Sequence, residues 1–586
     1  MLRPFNSVQR PALLLTWLQR RARSSETVFI LAAIAVGAIA GLLSVVQGGL
    51  ARTLQHFLFR LPPDEHLSST ATLGLMALIA LPLGGAALSL FSWAVAARKR
   101  RLVDAVEANA LHGGRMSLSD SLIVSGQTII SNGFGASVGL EAAYAQMGAV
   151  AGSMAGIRLR LRRGDLRNLV GAGTAGAIAA AFGAPLAGAF YAFEIVIGAY
   201  TPAAIAPIAA AALSGAFVAQ LIGARPYLID AVAGAPTETH HFLIYAALGA
   251  VCALMGIALM RAVAVVEAAT KRLIKREWLR PALGGVLLIP IALLSPQALS
   301  AGHGALYLDL ETGLPLAFLG TILIAKAAGS IVSLGFGFRG GLFFASLFLG
   351  SLIGHLFAGA LAQIFGTPVI DPRNAALVGM AAFSVAVIGG PMTMAMLVLQ
   401  ATNDFALTGA VIAASLVAST IVRDLFGYSF STWRLHLRGE AVKSARDVGW
   451  VKTLTAGSMM RRETRATPAS ISVADFRRRF PLGSTSRVVL IDDDERYAGI
   501  ANPASAFAEG VAGDAIIGTL ATARDHVLPP EASIRDVMTA FDAFGGDELA
   551  VVDAQGVVLG LLSESYVQRR YAEEVDKAQR ELFGET

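Results

Sequence analysis

Cysteine is almost absent from this chain: Cys252 is the only one in 586 residues. That excludes internal disulfides and any metal site built on cysteine. Charge is scarce as well, with 15% charged residues and a net +6 concentrated in loops, so no broad basic face exists to bind nucleic acid. The His-Glu-x-x-His zinc motif and paired aspartates within apolar segments, as a membrane-embedded hydrolase would need, are missing too. His240 and His241 are adjacent, but no third ligand stands at useful spacing, and the pair reads as a helix end near the membrane interface. What is abundant is apolar: 55% hydrophobic residues and 61 glycines, a balance that only a multi-span membrane protein carries.

Runs over residues 28–46, 73–97, 242–260 and 314–331 are uninterrupted enough to cross ~30 Å of hydrocarbon as helices. The first run is followed by further spans and lacks a small-residue cleavage pattern, so it reads as a span and not as a removable signal. Basic clusters occupy 98–101, 158–167 and 271–280, whereas the connection 60–69 carries Asp64 and Glu65. The positive-inside rule then places the clusters and both termini in the cytoplasm of a cell-membrane protein. Residues 1–25, with Arg3, Arg10, Arg20, Arg21 and Arg23 around a short apolar core, suit the inner lipid surface.

The chain repeats itself. Residues 182–194 read FGAPLAGAFYAFE and residues 388–400 read IGGPMTMAMLVLQ, which matches Pro185 with Pro391 and Glu194 with Gln400. Upstream, Gly173 faces Gly379, and Gly139-Leu140-Glu141 faces Gly341-Leu342-Phe343. Duplicated membrane units with glycine-interrupted segments at matching positions point to a transport site near the bilayer midplane. A helix broken there leaves its first N–H groups unpaired, and these with the helix dipole cradle a negative ion. Glu141 is an ionisable residue in one such break, hence a functional candidate; the second repeat has Phe343 in its place.

Residues 102–114 are polar for this chain, with Asp104, Glu107, Asn109 and His112. They read as a solvated loop or, alternatively, as the rim of an aqueous vestibule. From residue 448 the sequence becomes that of a soluble α/β module in two similar halves, with strands near 487–492, 549–553 and 557–562 and helices near 533–544 and 564–577.

These residues resemble those of the CLC family of chloride channels and proton-coupled chloride exchangers over 24–438, and the tail resembles a pair of CBS domains. Residues 340–343, GGLF, are similar to the family's G-G-x-F motif, and Gly139-Leu140-Glu141 is similar to its G-[KR]-E-G-P motif. The resemblance implies an all-α polytopic membrane domain, an inverted repeat of broken helices spanning 26–440 (repeats 28–200 and 240–435), followed by a cytoplasmic α/β CBS pair over 441–586. It also implies a homodimer with one pore per subunit. Glu141 would be the gate. Gly139, Leu140, Gly341, Leu342, Phe343 and Ser431 would line the anion position, with N–H groups of Leu342 and Phe343 facing the ion.

Departures shape the expectation. The family's G-S-G-I-P falls around residues 100–104, where its serine and glycines are absent, and the cluster of Arg98, Arg100 and Arg101 is either a vestibule that attracts anions or a topology anchor. The inner glutamate of the exchangers falls on Ile195 and the central tyrosine on Ser431. These losses favour passive conduction of chloride or another small anion, with proton-coupled exchange as the alternative. A sensor with a vestigial pore is the rival of another class. In the tail, the ribose-binding aspartates expected of nucleotide-binding members fall on Ala504 and Tyr566, which argues against firm adenine-nucleotide binding, and no other cofactor is implied.

Overall fold

The computed structural model describes residues 19–62, 65–95, 102–224, 233–311, 313–427, 429–430, 432–433 and 454–583. The chain divides into two compact units, residues 1–447 and 448–586. The first is helical, and seven of its described helices are long and apolar enough to cross a bilayer.

Its first repeat comprises α1 (Glu26–Phe59), α2 (Ala80–Val95), α3 (Ala105–Leu111), α4 (Leu118–Gly133), α5 (Glu141–Arg158), α6 (Arg163–Phe182), α7 (Pro185–Tyr191) and α8 (Pro202–Leu221). The second comprises α9 (His241–Leu273), α10 (Leu279–Leu294), α11 (His303–Glu311), α12 (Leu316–Gly335), α13 (Phe343–Phe365), α14 (Pro372–Ile388), α15 (Pro391–Thr402) and α16 (Phe405–Leu425). Packing is duplicated with the sequence: α5 lies on α6 as α13 lies on α14, and α1 on α8 as α9 on α16. Between the repeats, like meets like, α2 against α10 and α7 against α15.

The punctuation is local chemistry. Proline opens α7, α8, α14 and α15 in the first turn, where its missing N–H costs nothing. Gly183 ends α6 in the left-handed region at φ 65°. In hydrocarbon, helices gain by close packing and not by hiding from lipid, so small residues mark the crossings. A β-carbon on Gly148 would stand 2.3 Å from the carbonyl oxygen of Gly173, and one on Gly350 would stand 2.3 Å from that of Gly379. The sequence match of Gly173 with Gly379 therefore marks the same crossing in both repeats.

The second unit holds two three-stranded sheets of identical topology. In the first, β1 (Ala466–Pro468) runs parallel to β2 (Val488–Ile491), which pairs antiparallel with β3 (Tyr497–Ala501). In the second, β4 (Val527–Leu528), β5 (Glu548–Val552) and β6 (Val558–Ser563) repeat that order. The helices α17 (Val473–Arg479) and α18 (Ile534–Phe544) are capped by Ser472 and Ser533, and α19 (Glu564–Phe583) closes the unit. Two such halves are consistent with a pair of CBS domains.

Candidate functional site

The site is built where the two broken-helix turns meet. After α4 the chain turns at Gly135 (φ 87°) and restarts as α5 at Glu141; after α12 it turns at Gly337 (φ 96°) and restarts as α13 at Phe343. The turns pair with each other: Gly139 N donates to Gly341 O at 2.9 Å, and Gly341 N donates to Gly139 O at 3.1 Å. This antiparallel bridge brings the two helix N-termini together.

Both partners are glycine because the Glu141 side chain folds back over them. A β-carbon on Gly139 would stand 1.9 Å from Glu141 Oε2, and one on Gly341 would stand 3.3 Å from it. Glu141 is 3% exposed. The N–H groups of Glu141 itself and of Phe344 act on its carboxyl, while Oε2 has no hydrogen-bond partner among the described residues. The side chain thus rests at the place that two converging helix N-termini make favourable for negative charge.

Polar contacts hold the first turn in place. Ser137 N donates to Ser333 Oγ at 2.9 Å, and Asn132 Nδ2 donates to Val138 O at 2.7 Å. Lys326, fully buried in α12, donates to Ser137 Oγ at 3.0 Å, Ser300 O at 2.6 Å and Ala298 O at 3.3 Å. It lies near enough to act electrostatically on Glu141. Residues 135–139 also happen to spell G-x-S-x-G, the spacing of a hydrolase nucleophile turn. Here Ser137 is fully buried and bonded to Lys326 and Ser330, with no histidine among its described partners.

Glu141, Gly341, Leu342 and Phe343 line a cavity of about 150 Å³ together with Leu102, Asp104, Tyr191 and Arg339. The Phe343 ring is held between Phe182 and Tyr191, with ring centroids 5.0 Å and 5.7 Å away. Residues 105–111 form the buried helix α3 and not a solvated loop. Asp104 caps it, its Oδ1 accepting from Glu107 N at 2.8 Å. Of the polar residues that look loop-like in sequence, Asp104 makes this cap and Asn109 donates to Val196 O at 2.9 Å, while Glu107 is buried with its Oε2 unbonded among the described residues.

Of the residues expected to form the site, Glu141, Gly139, Gly341, Leu342 and Phe343 are brought together. Leu140 is buried as the N-cap of α5. Ser431, Arg98, Arg100 and Arg101 lie outside the described residues. Sequence reasoning missed Lys326, although a lysine inside an apolar 20-residue helix carries the same signal that singles out Glu141. Tyr191 gave no such signal, because an aromatic on a membrane helix is unremarked until its surroundings are known.

The repeat match of Glu194 with Gln400 also has a structural meaning. Glu194 accepts from Met392 N at 3.1 Å, Thr393 N at 2.8 Å and Thr393 Oγ1 at 2.7 Å, capping α15 of the other repeat. Gln400 Oε1 accepts from Ala187 N at 3.0 Å and caps α7 in return. Each repeat closes the helix start of its partner.

In the second unit, Ala504 follows the cap Asn502, whose Oδ1 accepts from Ala504 N at 3.0 Å, and Tyr566 lies under the guanidinium of Arg569, 5.5 Å from the ring centre. Hydrogen bonds from Arg478 and Ser472 hold the carboxyl of Asp475 below its ordinary range. Among the described residues no cluster of three or more His, Cys, Asp or Glu could hold a metal.

Residues 84–423 match the family described as "Voltage gated chloride channel". The chain is 28% identical over 310 residues to the "Putative chloride channel protein ClcB-like" of Ralstonia nicotianae, covering 52% of this chain and 71% of that one. The fold is similar to that of a slow cyanobacterial Cl-/H+ antiporter, with a TM-score of 0.60 at 20% identity over 70% of this chain and 97% of the other. It is also similar to that of a eukaryotic CLC transporter, with a TM-score of 0.60 at 18% identity over 94% and 98%.

Proposed function

Since this chain belongs to the family of voltage-gated chloride channels, we propose that it passes chloride or a similar small anion through a pathway gated by Glu141. The observation that carries this reading is the carboxylate folded over Gly139 against Gly341, at the start of two helices. A carboxylate and a mobile anion compete for one set of N–H groups. While Glu141 is ionised and folded in, the position is filled; once it is protonated or swings away, the anion replaces it. The protein acts as a homodimer in the cell membrane, with both termini cytoplasmic and one pathway per subunit.

Passive conduction is favoured by Ile195, which carries no proton where the exchangers place a carboxylate. Coupled exchange is a second reading, supported by the likeness of the fold to that of the cyanobacterial Cl-/H+ antiporter. Liposomes loaded with chloride separate the two: chloride leaves without proton movement in a channel, and external pH changes against its gradient in an exchanger. Absence of any chloride flux from correctly folded protein overturns both. The tail serves as a CBS-type clamp that regulates or stabilises the dimer without adenine nucleotide.

A further inference from the structure

The cavity beside Glu141 has hydrogen-bond donors on its second-repeat wall, the first N–H groups of α13. An anion entering it sheds water and needs donors on the other wall too. Most polar side chains there are already committed. Thr128 Oγ1 donates to Val124 O at 2.8 Å, and Gln146 Nε2 donates to Val103 O at 3.0 Å and Ser121 Oγ at 3.1 Å. Asp104 is an acceptor, and its charge is spent on the N-terminus of α3.

Tyr191 is different. Among the described residues lining the cavity it is the one neutral hydroxyl with no described hydrogen-bond partner. It is 9% exposed, its ring packs on Phe343, and it lies within electrostatic reach of both Glu141 and Asp104. It stands at the end of α7, where a π turn over Ala192–Ile197 takes over, and such turns are frequent at functional sites.

We propose that the Tyr191 hydroxyl donates a hydrogen bond to the transported anion from the first-repeat wall of this cavity, opposite the N–H groups of α13. The inference rests on the anion-transport reading above and adds the group that completes the ion's coordination. A phenol donates through one O–H and carries no charge. It therefore replaces a water of hydration without trapping the ion as a cation would. Loss of that donor weighs most on strongly hydrated anions such as chloride and least on weakly hydrated ones such as thiocyanate.

The test is Tyr191→Phe in the full-length protein, which keeps the ring on Phe343 and removes only the hydroxyl. Calorimetric titration with chloride is expected to show affinity reduced on the order of tenfold, and flux in liposomes to show a smaller preference for chloride over thiocyanate, with the pH response of flux unchanged. Tyr191→Met, a second hydroxyl-free variant, serves if the first is not recovered monodisperse. Unchanged affinity and preference in a folded variant overturn the role of Tyr191 while leaving the transport reading intact. A wild-type protein that neither binds nor moves chloride overturns the transport reading itself, and this inference with it.

Discussion

Glu194→Ala removes the acceptor that closes the start of α15. Three donors lose their partner: Met392 N, Thr393 N and Thr393 Oγ1. The helix end also loses a carboxylate placed where the dipole favours it. A lost cap alone costs about 1 kcal/mol, and hydrogen bonds to a charged acceptor are worth more than neutral ones, so the substitution should destabilise by roughly 2–3 kcal/mol. Gln400→Ala strips a single neutral acceptor from Ala187 N and should cost about 1 kcal/mol. Glu194→Gln keeps one carbonyl oxygen for the Thr393 pair and should fall between. The assay is thermal melting in detergent, followed by the fraction that remains monodisperse. The expected order of stability is wild type, Gln400→Ala, Glu194→Gln, then Glu194→Ala. If Glu194→Ala melts with the wild type, or Gln400→Ala proves the worse of the two, the reciprocal capping of the repeats is not what holds these helix starts.

Leucine at Gly148 or Gly350 should abolish recovery of folded protein, because a β-carbon on either would stand 2.3 Å from a backbone carbonyl oxygen, whereas leucine at Gly49 or Gly320, where a β-carbon meets open space, should leave the yield unchanged; size-exclusion profiles read both. Lys326→Met should destabilise by about 2–4 kcal/mol, since Ser300 O, Ala298 O and Ser137 Oγ lose their donor in a buried place, and melting in detergent measures it. Titration of the full-length protein with AMP or ATP should give no saturable heat, and micromolar binding would contradict the reading of Ala504 and Tyr566.

The helical frame was legible in sequence because its signals are strong and local: long apolar runs, prolines at helix starts, and glycines recurring at matched positions. The match of Gly139 with Gly341 even marked the two turns that pair through their backbones, though nothing in the residues said that they pair with each other. Residues 105–111 were harder. Their polar side chains suggest water, and only the packed structure shows that Asp104 caps the helix and that Asn109 reaches Val196 O. Lys326 and Tyr191 act through distant parts of the chain, 189 positions away for the bond from Lys326 to Ser137, and no local pattern reports such contacts. Glu194 and Gln400 were paired by the repeat, but that each caps the other repeat's helix follows only from the packing of α7 on α15.

The most direct measurement is chloride efflux from liposomes across a range of pH, for the wild type and for Glu141→Gln. Acid protonates the carboxylate, so the side chain no longer competes for the N–H groups, and wild-type flux should rise as pH falls. The glutamine resembles the protonated form at every pH and should conduct at a high rate that pH does not change. A Glu141→Gln protein that keeps the wild-type pH response would contradict the account, because the gate would then lie elsewhere.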